Sequence, residues 1–265
     1  MGEPVRAYVI NLARSADRRA HITAGLQGTG LDFEFITAVD AGDLDFSDPQ
    51  TAARLTPSFF DRFRPGEAAC AMSHASAHQK ILADGLDAAL VLEDDVTVPP
   101  QLAEIADAVG ARLEGAEVAL LNFDSAEVVQ VTRDGAVELP GGGQLLFPVD
   151  LSQPVSGAAY IITRDACERM AKLAVPIATK ADDWAHFHLV GAIDQLRCVH
   201  PLAVLKAPEF GSTMGYYSDA SVRARVLALV GRYDLGLVKR VVAYRRERIW
   251  RKYRQVEFVE APAGR

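Results

Sequence analysis

Leu90-Val91-Leu92-Glu93-Asp94-Asp95 drives three apolar residues straight into three carboxylates. The apolar run has the make-up of a buried strand. Its acidic end carries adjacent negative charges that repel one another unless a cation or hydrogen-bond donors compensate them. Side chains alternate along an extended chain, so Glu93 and Asp95 point to one side and Asp94 to the other. Two carboxylates on one side suit a hard, oxygen-seeking ion such as Mg²⁺ or Mn²⁺, and that ion would be well placed to hold a diphosphate. The competing reading is a solvated acidic turn after a strand, and spacing alone does not separate the two.

Outward from this run, strand-like and helix-like segments alternate. Residues 7–12 make a short β-like run. Residues 17–27 form a helix with Asp17 near its start and Ile22 and Leu26 at i, i+4, closed by Gly28 and Gly30. Residues 32–39 read as a second strand ending at Asp40-Ala41-Gly42, and residues 43–65 as irregular. A buried helix follows over 67–84, a strand over 88–92, a helix over 100–113 and a strand over 118–122. Residues 127–147 alternate strands with turns around Gly141-Gly142-Gly143 and predict a hairpin-like insertion. A strand over 158–163 and a helix over 165–173 come next, and 222–254 is a long helical stretch. This order predicts an α/β fold with a mixed or mostly parallel sheet. It places the acidic cluster at the C-terminal end of a strand, where open α/β sheets bind ligands, and so favours the ion.

With 265 residues and 49% apolar content, the chain can bury the core of one large domain, or of one domain with an appendage. No stretch approaches the roughly 18–20 apolar residues of a membrane span. The start, Met-Gly-Glu-Pro-Val-Arg-Ala-Tyr-Val-Ile-Asn, lacks the basic opening and long apolar run of a signal peptide. Cys70, Cys167 and Cys198 lie far apart with no CxxC pair, which predicts reduced buried thiols in the cytoplasm and neither a disulfide framework nor a zinc site.

The net charge of −7 hides a split: residues 1–222 hold 16 Lys/Arg against 31 Asp/Glu, whereas residues 223–265 hold 12 against 4. The acidic body argues against nucleic acid as a general partner. In 223–254, arginines and lysines interleave with Val, Leu, Tyr244, Trp250 and Tyr253, as in a helix lying on an anionic membrane surface. A solvated basic helix on the acidic body, or a protein interface, is the alternative. The expected division is a domain over 1–215 and a basic helical extension over 216–265. The expected location is cytoplasmic, peripheral on the inner membrane if the tail binds lipid.

Three further blocks carry chemistry. Asn11-Leu12-Ala13-Arg14-Ser15-Ala16-Asp17-Arg18-Arg19 follows the first strand; a strand-to-helix turn offers free N–H groups, and Arg14 and Arg18 add forks suited to phosphate, or else pair with Asp17. Gly66-Glu67-Ala68-Ala69-Cys70-Ala71-Met72-Ser73-His74 opens a helix with small residues that permit close approach, leaving Glu67, Ser73 and His74 as polar exceptions. His74 and His78 are candidates for ligands and equally for satisfied core residues, and Lys80 could face a diphosphate or solvent. In Asp182-Asp183-Trp184, paired carboxylates suit a general base, and the indole offers a face for a sugar ring; a helix N-cap is the alternative.

Taken in order, these blocks resemble glycosyltransferase family 25, the group of bacterial lipooligosaccharide galactosyltransferases and collagen galactosyltransferase-type domains. The resemblance runs over roughly 7–212 through Tyr8-Val9-Ile10-Asn11-Leu12, Ala38-Val39-Asp40-Ala41, the block from Gly66 to His74, Val91 to Val96, Ser156 to Ile162, and Asp182. It implies the GT-A type of nucleotide-sugar fold and inverting transfer from a UDP-sugar, UDP-galactose before UDP-glucose, to a glycan or glycolipid acceptor with Mn²⁺ or Mg²⁺. By the same resemblance, Asp95 and Glu93 hold the ion. Asn11, Leu12, Arg14, Arg18 and Asp40 surround uridine and diphosphate, and Glu67, Ser73, His74 and Asp94 complete the donor pocket. Asp182 is the base, ahead of Asp183. The chain departs from the family in having Ala41 and Ala69 where Gly is common. A nucleotidyl transferase would need a Gly-rich phosphate loop, which Asn11–Arg19 lacks, and a non-catalytic sugar-nucleotide module is the reading from another class.

Overall fold

The computed structural model describes residues 3–125, 127–207, 209–210 and 255–260. The first half alternates as the apolar pattern requires: β1 (Arg6–Asn11), α1 (Ala16–Gln27), β2 (Phe33–Thr37), the short helices α2 (Pro49–Ala52) and α3 (Phe59–Arg62), then α4 (Pro65–Ala83) and β3 (Ala88–Glu93). There follow β4 (Val96–Thr97), α5 (Leu102–Gly110), β5 (Glu117–Leu120), β6 (Val129–Glu138), β7 (Gln144–Pro148), β8 (Ala159–Thr163) and α6 (Arg164–Lys172). The described chain closes with α7 (Trp184–Leu189), β9 (Gln195–His200), β10 (Leu205–Lys206) and β11 (Val256–Val259).

Nine strands form one mixed sheet in the order β11-β6-β7-β9-β5-β8-β3-β1-β2, and β4 pairs with β10 beside it. Parallel pairing joins β2, β1 and β3, while β8 runs antiparallel between β3 and β5. Both faces are covered, and the side-chain alternation shows it. Tyr8, Ile10, Val91, Tyr160 and Ile162 pack with Ala77, Ile81, Met170 and Trp184 on the α4, α6 and α7 side. Val9, Leu90, Leu92 and Ile161 pack with Ile22, Leu26, Leu102 and Ile105 on the α1 and α5 side. Double burial is why these strands are apolar at every position and not at alternate ones.

The segment expected as an insertion, 127–147, is indeed a hairpin, but it belongs to the main sheet: β7 pairs antiparallel with β9. The region expected to be irregular contains α2 and α3; Leu55, between them, and Phe59 of α3 pack with Met72 and Ile177 in a satellite cluster over the start of α4. At the far edge β11 pairs parallel with β6, so part of the 216–265 extension completes the sheet. The helix expected over 222–254 lies outside the described residues. No described helix is long and apolar enough to cross a membrane.

Because β1, β2 and β3 are parallel, their C-terminal ends share one edge, and antiparallel β8 begins there. That topology brings Asn11, Asp40, Glu93-Asp94-Asp95 and Ser156-Gly157 to one place.

Candidate active site

The acidic turn is held from beneath. Asn11, buried at the end of β1, donates its Nδ2 to Asp94 Oδ2 at 2.7 Å. Arg18, in the first turns of α1, donates Nη1 to Asp94 Oδ1 at 3.0 Å and to Asp95 Oδ2 at 3.3 Å. Asp94 is 6% exposed, so this middle carboxylate is an anchor. Of Asn11 and Arg18, expected around uridine and diphosphate, Arg18 lines the cleft and Asn11 is buried beneath it, and both direct these donors at protein carboxylates. Glu93 is tied to the residue before β8 through its N–H, which donates to the Ala158 carbonyl at 2.9 Å.

The flanking carboxylates are less settled. Asp95 Oδ1 is buried and accepts no hydrogen bond among the described residues. Burial and the charge of Glu93, opposed by Arg18, push the Asp95 carboxyl up to about 6. Burial works on Glu93 in the same direction, yet His74, Lys206 and Arg18 together hold it below the usual carboxylate range. Lys206 escaped the sequence reading. It reaches the site because β10 pairs with β4 immediately after the acidic turn, and the Ala207 N–H donates to the Asp95 carbonyl at 2.7 Å. Lys206 Nζ lies 2.9 Å from Asp124 Oδ2. Burial opposes its charge, but Asp124, Glu93 and Asp95 raise its pKa. A lone lysine in Val-Leu-Lys-Ala gives no local sign of this.

A cleft runs from the acidic turn along the ends of β1 and β2, lined by Leu12, Arg14, Asp40, Cys70, Ser73 and His74 among others. Exposed Arg14 pairs with Asp40, donating from Nη2 to Oδ1 at 3.2 Å and from Nε to Oδ2. The Asp40 carboxylate also accepts from the Gly42 N–H at 3.0 Å, and Arg14 first, then Gly42, keeps its pKa low. Ser73 accepts from the Val39 N–H at 2.9 Å and donates to the Ala69 carbonyl at 2.7 Å, which pins the segment after β2 to α4. Glu67 accepts from the Arg64 N–H at 2.9 Å in a capping box, behind a proline in the first helical turn.

His74 and His78, one turn apart on α4, both meet the Tyr160 hydroxyl, at 2.9 and 2.8 Å. His78 is a satisfied core residue, its pKa lowered to about 3 by burial and by His74. His74 serves both sides, since its Nε2 sits 3.6 Å from Glu93 Oε1. Lys80 lies elsewhere: it pairs with Asp84 at 2.6 Å and with Glu34 at 3.4 Å, so the diphosphate role is withdrawn.

The two aspartates separate. Asp182, with Glu67, Cys70, Glu93 and Lys180, lines a recess of about 30 Å³ that shares Cys70 and Glu93 with the cleft. Its Oδ1 lies 3.2 Å from Lys180 Nζ. Asp183 instead caps α7, accepting from the His186 N–H at 3.3 Å and from the Thr179 hydroxyl at 2.5 Å. Trp184 is 1% exposed and donates its indole N–H to the Ser156 carbonyl at 3.2 Å. It packs on Tyr160 and Phe187, so no face is left for a sugar ring.

With this geometry in place, the comparison with known proteins is direct. The sequence model of glycosyltransferase family 25 (LPS biosynthesis protein) matches residues 5–185. The chain belongs to glycosyltransferase family 25. The family 25 match takes in β1, the acidic turn, the α4 block and Asp182, and stops before Lys206 and the basic tail. The chain is similar to the lacto-N-neotetraose biosynthesis glycosyltransferase LgtE of Neisseria meningitidis, 33% identical over 193 residues, covering 68% of this chain and 65% of that one. It is 28% identical over 180 residues to the lipooligosaccharide biosynthesis protein lic2B of Haemophilus influenzae, covering 62% of this chain and 61% of that one. Procollagen galactosyltransferase 1 of Danio rerio is 34% identical over 95 residues, 34% of this chain and 16% of that one. The chain thus spans less than two thirds of the length of these relatives.

Proposed function

We propose that this family 25 chain transfers a hexose, galactose first and glucose second, from a UDP-sugar to a glycan acceptor, with inversion and with Mn²⁺ or Mg²⁺, on a GT-A type of fold. The observation that carries the reading is the buried, unpartnered Asp95 Oδ1 beside Glu93, in a cleft whose adjoining recess holds Asp182. Two carboxylates, one with an oxygen lacking a donor and a pKa pushed up by burial and then by its neighbour, fit a hard cation. Asp95 and Glu93 would hold it. When bound, such an ion stabilises the negative charge that develops on a departing diphosphate.

The chain's own residues do the rest. Asn11 and Arg18 hold the acidic turn in register, and Arg14, Asp40 and Leu12 bound the nucleoside end of the cleft. Asp182 takes the proton from the acceptor hydroxyl as that oxygen attacks the anomeric carbon from the side opposite UDP, and a single displacement inverts the centre. The Haemophilus relative is a lipooligosaccharide biosynthesis protein and the Neisseria relative a lacto-N-neotetraose biosynthesis glycosyltransferase, which supports a bacterial surface lipooligosaccharide or other glycoconjugate as acceptor. Residues 223–254 would then meet the anionic inner leaflet, from the cytoplasmic side.

UDP release measured over a panel of donors, with Mn²⁺ or with chelator, tests the reading. Release from UDP-galactose or UDP-glucose that requires the ion and disappears in Asp95→Asn is expected. Equal release in chelator, or none from any UDP-hexose with acceptor present, overturns it.

A further inference from the structure

We propose that Cys70, His74 and Glu93 form a second cation site, one for a thiophilic divalent ion such as Zn²⁺, beside the oxygen site at Asp95. Cys70 and His74 stand one helical turn apart on α4, and Glu93 closes the end of β3 opposite them. Their sulfur, nitrogen and oxygen ligand atoms all lie within 4.8 Å of one another. Tetrahedral zinc ligands stand about 3.3–3.8 Å apart, given bonds of about 2.0–2.3 Å, so small side-chain rotations close the set. Among the described residues this is the one such grouping of three. A thiolate, an imidazole and a carboxylate suit zinc, whereas Mg²⁺ and Mn²⁺ favour oxygen throughout.

Two independent features point to a ligand. His74 is 3% exposed, and its Nε2 has no hydrogen-bond partner among the described residues. Its Nδ1 is engaged by Tyr160, as the second nitrogen of a metal-bound imidazole ordinarily is. The Nε2 faces Glu93 Oε1 at 3.6 Å, beyond hydrogen-bond reach, so a cation between them can take the imidazole nitrogen and the carboxylate oxygen together. Second, Gly157 keeps the space clear: a Cβ there would stand 3.2 Å from His74 Nε2 and 3.5 Å from Glu93 Oε1.

Burial, then Glu93, Asp182, Glu67 and Asp95, holds the Cys70 thiol well above its usual pKa, so without a cation it stays protonated. As the metal–sulfur bond forms, the thiol proton leaves to solvent and the ion neutralises the thiolate. Cys70-x-x-x-His74 with a strand carboxylate is not a sequence-readable zinc pattern, and the absence of CxxC had argued against one. The two sites share Glu93. On the donor reading above, a soft ion here withdraws that carboxylate from the diphosphate end and inhibits transfer.

The test is a Co²⁺ titration of the metal-free, reduced full chain without donor, so that it stands apart from the transfer reading. A near-ultraviolet thiolate-to-cobalt charge-transfer band is expected, displaced by Zn²⁺, retained in a Cys167→Ala/Cys198→Ala double variant and lost in Cys70→Ser. Gly157→Ala, which removes no ligand, is expected to weaken cobalt binding about 10-fold or more. It carries the test alone if Cys70→Ser fails to fold by circular dichroism. No band in the wild-type chain, a band that survives in folded Cys70→Ser, or unchanged affinity in Gly157→Ala overturns the site.

Discussion

Asn11 Nδ2 donates to Asp94 Oδ2 at 2.7 Å, joining the ends of β1 and β3 across 83 residues of sequence. The bond gives the three carboxylates separate tasks. Asp94, in the turn after β3, has both carboxylate oxygens engaged by Asn11 and Arg18 and serves the scaffold, whereas Asp95 keeps one oxygen without a donor among the described residues.

Asn11→Ala should therefore act on stability before chemistry. It strips a buried carboxylate oxygen of its donor, a loss of about 1.5–3 kcal/mol for a hydrogen bond to a charged group. Urea unfolding measures it. An unchanged midpoint would mean that Asp94 does not rely on this bond.

Asp182→Asn is expected to lower turnover by about 10²–10⁴-fold while leaving the unfolding midpoint near that of the wild type. Asp183→Ala is expected to do the opposite, removing the α7 cap at a cost of about 1 kcal/mol. Steady-state kinetics and thermal unfolding on both variants decide the matter, and the reverse pattern exchanges their roles.

Acid stability should carry opposing contributions from two buried groups. His78 has a folded-state pKa of about 3 against an unfolded value of about 6.5, so the unfolded chain binds the extra proton between them and stability falls as pH drops through that window. Asp95, with a folded pKa of about 6, behaves oppositely in metal-free protein: its contribution is present below the unfolded carboxylate value and is lost as pH rises through 6. His78→Gln should flatten the first slope, and Asp95→Asn should stabilise the metal-free chain above pH 6. Denaturation midpoints across the range, in chelator, read both; slopes unaltered by either variant would contradict the assignment.

Trp184→Phe tests whether the indole is framework or binding surface. Losing the bond to the Ser156 carbonyl, and some buried volume, should cost about 1–3 kcal/mol, with the donor KM little altered. A large rise in KM at intact stability would return Trp184 to the sugar site.

The strands flanking the acidic turn, the α4 helix with its small-residue start, and the place of Glu93-Asp94-Asp95 at the C-terminal end of a strand were legible in the residues, and the family resemblance implied that Asn11 and Asp40 join them. Apolar periodicity and the rule that ligands meet α/β sheets at strand C-termini are local or topological properties. The tertiary structure alone decided which polar groups consume one another. Arg18 clamps Asp94 and Asp95 while lining the cleft, Asp183 caps α7 while Asp182 lines the adjoining recess, and Trp184 lies in the core. It also carried Lys206 and Cys70 to Glu93 from distant or unremarkable positions. Pairings of this kind depend on side-chain distances set by packing between elements far apart in the chain, and sequence spacing does not encode those distances.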